Sequence, residues 1–270
     1  MDSLRPALLR AAVCSSESEA LAAWRSVRKS IDVEALSWDV MQIIPTLHGR
    51  LDGWLRDDPA ESILAGIVRR AWTEAQLRLR IARGILDRLE TGVLLGSAAV
   101  SLRNRFAGSV RPISDLRILV PRDHLPRAAS VLAEDGWQAA AEIPSADALN
   151  WCSWISFSRD PLQLYLFWRA LPVTGPRAAR CEREFFAHAQ ANLLAPEHAF
   201  LAAICGRMNP DPDVVPWQID AALLPVHPLD WKMFSAAACD FAREAFARVQ
   251  ELRALGLAIP KVRRPLRFFL

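Results

Sequence analysis

Between Gly92 and Val120 the chain reads GVLLGSAAVSLRNRFAGSVRPISDLRILV, and this stretch gathers residues suited to phosphate chemistry. The apolar run Val93-Leu94-Leu95 reads as a strand ending in Gly96-Ser97, and residues 98–102 read as a small-residue helix that follows at once. A glycine at that turn lets the backbone approach a phosphate closely. Ser97 and the amides that open the helix can bind an anion at the positive end of the helix dipole. Asp115 comes 18 residues after Ser97 and starts a second strand, 115–120. On a neighbouring strand its carboxylate could hold a Mg²⁺ that bridges phosphate oxygens. The same residues admit a plainer reading, with Gly96-Ser97 as a strand-to-helix turn and Asp115 as an acid paired with Arg117.

The elements that must position these groups follow from periodicity. Residues 5–90 have a helical pattern, with pieces at 18–30 and 33–55 and one apolar face of Leu77, Ile81, Ile85 and Leu89 with Leu86 and Ala82 beside them. Asp58-Pro59 marks a stop and a restart. After the Gly92–Val120 stretch, residues 124–134 are predicted helical and end at Asp135-Gly136. Three strands are predicted at 137–143, 151–158 and 162–168, the last two joined as a hairpin through Arg159-Asp160-Pro161. Pro172, Gly175 and Pro176 form a link. Residues 196–207 read as a helix and 209–216 as a proline-rich loop. A last long helix opens near Pro228-Leu229-Asp230, carries Trp231, Phe234, Ala238, Phe241, Ala245, Val249 and Leu252 on one face, and ends at Gly256 and Pro260.

In order and spacing these motifs resemble a bacterial family of uncharacterised nucleotidyltransferases within the DNA polymerase β-like nucleotidyltransferase superfamily. The family pattern is a strand reading roughly L-L-K-G, then R-x-x-x-D-I-D-L-L-V, a helix ending near G-W, and a strand ending D-L-H-W. This chain has Leu94-Leu95-Gly96-Ser97, then Arg111-Pro-Ile-Ser-Asp115-Leu-Arg117-Ile-Leu-Val120, then Gly136-Trp137, then Leu164-Tyr165-Leu166-Phe167-Trp168. Trp217-Gln-Ile-Asp220 and Asp230-Trp231 match the helical tail. The resemblance implies an α+β fold, a small nucleotidyltransferase-like mixed-sheet core (91–171) flanked by helical N-terminal (1–90) and C-terminal (172–270) lobes. It implies nucleotide contacts from Gly96, Ser97, Arg111 and Arg117, a catalytic and metal-binding role for Asp115, and a cleft-lining place for Tyr165.

The departures from the family pattern carry as much information. Active members hold two metals with carboxylates at positions i and i+2 of one strand, which share a face, and a third from a nearby strand. Here Arg117 stands at the second position and Tyr165 at the third, and the lysine of L-L-K-G is absent. Exchanging a carboxylate for a guanidinium changes the local charge by two units. At about 4 Å each unit pair is worth roughly 4 kcal/mol at a surface-like dielectric. Mg²⁺ binding is therefore expected to be weak or absent, with Arg117 pairing with Asp115 or taking a phosphate directly. Glu142 and Asp160 are the nearest substitute acids.

Composition sets the remaining bounds. The chain has 270 residues, 52% hydrophobic and 23% charged, which suits a globular protein with a real core. A net charge of +3 gives no strong nucleic-acid signal. Scattered Cys14, Cys152, Cys181, Cys205 and Cys239 show no zinc spacing and fit a reducing compartment. No segment is long and apolar enough to span a bilayer, and a cytoplasmic location is expected. Trp151, Trp154, Trp168 and Trp217 form either an aromatic surface or core, and the basic, aromatic tail 261–270 either a docking segment or a folded-back end. Three functions remain open. One is a degenerate nucleotidyltransferase retained to bind an NTP or a peptide or protein partner of a biosynthetic pathway. Another is an active nucleotidyltransferase that uses Asp115 and a second acid. The third is an interaction protein with no nucleotide site.

Overall fold

The computed structural model describes residues 4–104, 111–171, 176–206, 216–224, 229–238 and 241–259. Residues 209–215, Pro172, Gly175, Pro228, Pro260 and the tail 261–270 lie outside them. The fold combines many helices with one open, mixed five-stranded sheet. The strands are β1 (Val93–Leu94), β2 (Leu116–Leu119), β3 (Gln138–Ala139), β4 (Trp154–Arg159) and β5 (Leu162–Phe167), in the spatial order β1-β2-β5-β4-β3. β1 runs antiparallel to β2, β2 runs parallel to β5, and β4 pairs antiparallel with both β5 and β3.

Strand alternation sorts the side chains into two cores. Leu116, Ile118, Leu164, Leu166, Ile155 and Phe157 share one face and pack with Leu79, Ala82 and Leu86 of α5 (Glu61–Arg88) and Leu125, Ala128 and Leu132 of α7 (Leu125–Glu134). Leu119 and Phe167 point the other way, with Val93 and Leu95. They meet Phe200, Leu201 and Ala202 of α9 (Pro196–Cys205), and Val249 and Leu252 of α12 (Ala242–Ala254). β2 is buried along its whole length, as a central strand covered on both faces must be. A third core unites α1 (Leu4–Val13), α2 (Glu17–Arg28) and α4 (Ile44–Leu55), and it also takes Ile219 from α10 (Trp217–Leu223).

Local signals account for several boundaries. α7 ends in a Schellman-type turn: Gly136 has φ +80, Trp137 donates to the Leu132 carbonyl, and Gly136 donates to that of Ala133. Pro45 and Pro126 sit in the first turns of α4 and α7, where a missing N–H is harmless. The hairpin at Asp160-Pro161 joins β4 and β5 with Arg159 opposite Leu162.

Five expectations need correction. Leu77 is 54% exposed, whereas Ile85 and Leu89, with Ala82 and Leu86, join the core and Ile81 packs against it. A fourfold spacing drifts by about 40° per step on a helix of 3.6 residues per turn, so counting back from Leu89 carries Leu77 off the core face. The piece 33–55 is two helices, α3 (Trp38–Met41) and α4, separated at Gln42 and Ile43. The strand expected at 137–143 shrinks to Gln138 and Ala139, with one further bond from the Ala140 amide to the Ser156 carbonyl, because the following residues lack an alternating apolar set. The strand expected at 151–158 starts at Trp154, and Trp151 lies in a turn, 86% exposed. The last long helix is broken into α11 (Trp231–Ala237) and α12. The break lets both pieces pack on α9.

Candidate functional site

Helix α6 (Gly96–Arg103) starts directly at the end of β1. Gly96 has φ +59, in the left-handed region. Leu95 donates its amide to the Arg117 carbonyl, which fixes this turn against β2. A Cβ on Gly96 would lie 3.3 Å from Cδ of Arg117, so the arginine side chain rests on the turn. The guanidinium then makes a bidentate pair with Asp115, Nε to Oδ1 at 2.7 Å and Nη2 to Oδ2 at 2.9 Å. Both carboxylate oxygens of Asp115 thus face a cation already in place.

Tyr165 stands directly opposite Arg117 in the β2–β5 register, and Ser156 stands opposite Tyr165. Residues 117 and 165 therefore share one face of the sheet. Trp154 packs edge-on against Tyr165 with ring centroids 5.2 Å apart. Burial, followed by the Asp115 charge, pushes the Tyr165 phenol above its ordinary value, so the phenol stays neutral.

Beside this row opens a cleft between α6, α9 and α10. Gly96, Ala99, Val100 and Arg103 of α6 form one wall, at the i, i+3, i+4, i+7 spacing of a single helix face. Ala199, Ala202 and Ala203 of α9, and Trp217 and Asp220 of α10, form the other, with Arg117 and Leu94 at the sheet end. Trp217 is backed by the Arg248 guanidinium, 5.2 Å from the ring centroid. Of the residues expected to act, Gly96 and Arg117 line the cleft. Asp115 touches it through Arg117. Ser97 and Tyr165 are adjacent but not on its wall. Arg111 is buried behind it, with Nε bonded to Asp220 Oδ1 at 2.6 Å.

Among the described residues no three His, Cys, Asp or Glu side chains come together as metal donors. Glu142 and Asp160 are exposed and line no part of the cleft. Trp168 and Arg169 are buried: Arg169 donates to the Leu149 and Asn150 carbonyls and to Glu182, tying α8 (Pro176–Ala187) to the loop before β4. Sequence reading passed over Arg103, whose signal was a lone arginine at the end of a stripe of small residues.

His198 sits near the start of α9, stacked on Phe185 at 4.5 Å and 5.5 Å from His188. Burial and then His188 lower its pKa below the usual histidine value, against the pull of Glu184 and Glu197. Its neutral form belongs to the folded state, while the unfolded chain takes up the proton first. Stability is therefore full above a pH of about 6.5 and falls as the pH drops from there toward the depressed folded value. Chemical denaturation between pH 7.5 and 5 should show a falling midpoint. His198→Gln should flatten that slope, and an unchanged slope would assign it to other groups.

Comparison with protein-family models finds no match, and comparison with curated proteins finds none either. Among the described residues no helix is long and apolar enough to cross a membrane.

Proposed function

We propose that this chain is a nucleotidyltransferase-like protein that has lost metal-dependent transfer and works by holding an anionic ligand, a nucleotide or the anionic group of a biosynthetic partner, in the cleft beside Arg117. The observation that carries this reading is the Asp115–Arg117 pair resting on Gly96. In an active relative, a carboxylate pair and metal ions would occupy that place. Here a guanidinium sits in it and satisfies both oxygens of the one acid that remains. The donor set does not fit a two-metal centre, because the second and third positions are Arg117 and Tyr165.

The sheet order supports the resemblance. β1 with its Gly96-Ser97 end, β2 with Asp115 just before it and Arg117 in it, and β5 with Tyr165 are consecutive neighbours. Anion recognition without metal needs donors rather than carboxylates, and arginines beside a helix start provide them. A cytoplasmic setting belongs to the same proposal, supported by the unpaired thiols of Cys14, Cys152 and Cys205.

Calorimetry with ATP and AMP, with and without Mg²⁺, tests the reading together with turnover of labelled NTP in Mg²⁺ or Mn²⁺. The expected outcome is anion binding that is indifferent to the metal, and no turnover. Turnover that appears only in Arg117→Asp combined with Tyr165→Asp would mark descent from an active enzyme. Robust turnover in the parent protein that is lost in Asp115→Ala would replace the proposal with an active nucleotidyltransferase.

A further inference from the structure

Among the described residues three charged side chains line the cleft, and two of them are already neutralised. Arg117 is paired with Asp115, and Asp220 with Arg111. The third is Arg103, in the last turn of α6. Among the described residues it makes one hydrogen bond, Nη2 to the Leu194 carbonyl at 2.6 Å, and no ion pair. Glu197 acts on it only at longer range, its own carboxylate accepting the Asp230 amide at 2.7 Å. Around Arg103 the wall is aliphatic: Leu94, Val100, Leu194, Ala202 and Leu224. Burial lowers the Arg103 pKa, with Glu197 pulling the other way at longer range: the cation has given up solvent without gaining an ion pair among the described residues. Among the described residues the cleft thus presents one positive charge without an ion-pair partner in an apolar trough.

Resting on the metal-free anion-binding reading above, we infer that the cleft takes a ligand with a single carboxylate on an aliphatic body, the carboxylate on Arg103 and the body against α6 and α9. A lone guanidinium balances one negative charge and offers the forked N–H geometry that a carboxylate fits. A triphosphate brings several charges, with no metal donor set here to spread them. Leu94, Val100, Ala202 and Leu224 offer a body dispersion contacts and removal from water, and Trp217 closes the side.

Decanoate is the probe, with decanol as its uncharged counterpart and ATP as the multiply charged one, each titrated by calorimetry into the full chain. Decanoate should bind with one site per chain and decanol about 10- to 100-fold more weakly, as the loss of one charge-assisted contact predicts. Arg103→Gln should erase that preference, Arg103→Lys should keep most of it, and Ala203→Phe, which fills the trough, should abolish binding with Arg103 in place. The ligand pair keeps the test valid even where a variant fails to fold. Equal affinity for decanoate and decanol, or decanoate binding untouched by Ala203→Phe, overturns the inference. ATP binding without decanoate binding overturns it and leaves the anion-binding reading standing, whereas binding of neither overturns both.

Discussion

Asp220→Ala should cost the protein about 3–5 kcal/mol of unfolding free energy, the range for leaving one partner of a buried ion pair uncompensated. The Arg111 side chain is 1% exposed and its Nε is held by Asp220 Oδ1 at 2.6 Å. Nη1 and Nη2 have no hydrogen-bond partner among the described residues, so among these the carboxylate is the group that offsets the buried charge. Without it the guanidinium is stranded beneath α10, and it does not escape by deprotonating. Arg111→Met should cost less, because Asp220 lines the cleft and water can reach the carboxylate left behind. Arg111→Met combined with Asp220→Leu should recover much of the loss, since replacing both ions with apolar side chains removes the desolvation cost together with the attraction. Denaturant midpoints at constant slope give these differences. A parent-like midpoint for Asp220→Ala would mean the pair is not buried in solution.

Gly256→Ala should be nearly as damaging, at about 2–5 kcal/mol. Two costs combine. Gly256 has φ +89, a conformation that charges an L-residue roughly 1–2 kcal/mol. A Cβ there would also lie 2.4 Å from the Cys14 sulfur and 3.2 Å from its Cβ, and overpacking of this kind adds about 1–3 kcal/mol. Cys14 is fully buried at the end of α1, so the sulfur has no room to withdraw. The two costs separate in a Cys14→Ala background, where the clash with sulfur is gone and the backbone strain stays. Gly256→Ala should then cost about half as much. Thermal unfolding of the four proteins in this cycle gives the coupling. A cost that is identical in both backgrounds would place the whole effect in the backbone.

The chemistry-bearing strand was readable because its information is local. Residues 115 and 117 share a face by alternation alone. The pairing of Asp115 with Arg117 and the Arg117–Tyr165 register needed only the order of the strands to be right. Gly96 announced its turn by type. The Asp220 carboxylate was invisible by the same logic. It meets Arg111 across 109 positions, and nothing in either segment names the other. Arg103 was passed over because a basic residue at a helix C-terminus already has a local explanation in the helix dipole. Its lack of an ion-pair partner among the described residues exists only once α9 and α10 are folded against α6. Leu77 shows the opposite failure: the regular spacing continues to it, yet the core takes Ala82, Ile85, Leu86 and Leu89 and leaves Leu77 in solvent. The break between α11 and α12 is likewise decided by what both must reach on α9.

The core of α1, α2 and α4 is completed by Ile219, and the junction of α1 and α2 is fastened by residues near position 256. Ser15 donates its amide to the Gly256 carbonyl at 2.9 Å, and its hydroxyl accepts the Ala258 amide at 2.8 Å, a contact spanning 243 positions. A ribosome releases the first helices long before either partner exists. At a synthesis rate on the order of 5–20 residues per second, they wait on the order of ten seconds or more with an unfinished apolar face. Closure of so large a loop comes late and opposes rapid folding. During synthesis the exposed stripe of α1, α2 and α4 is thus the part of this molecule most in need of a chaperone.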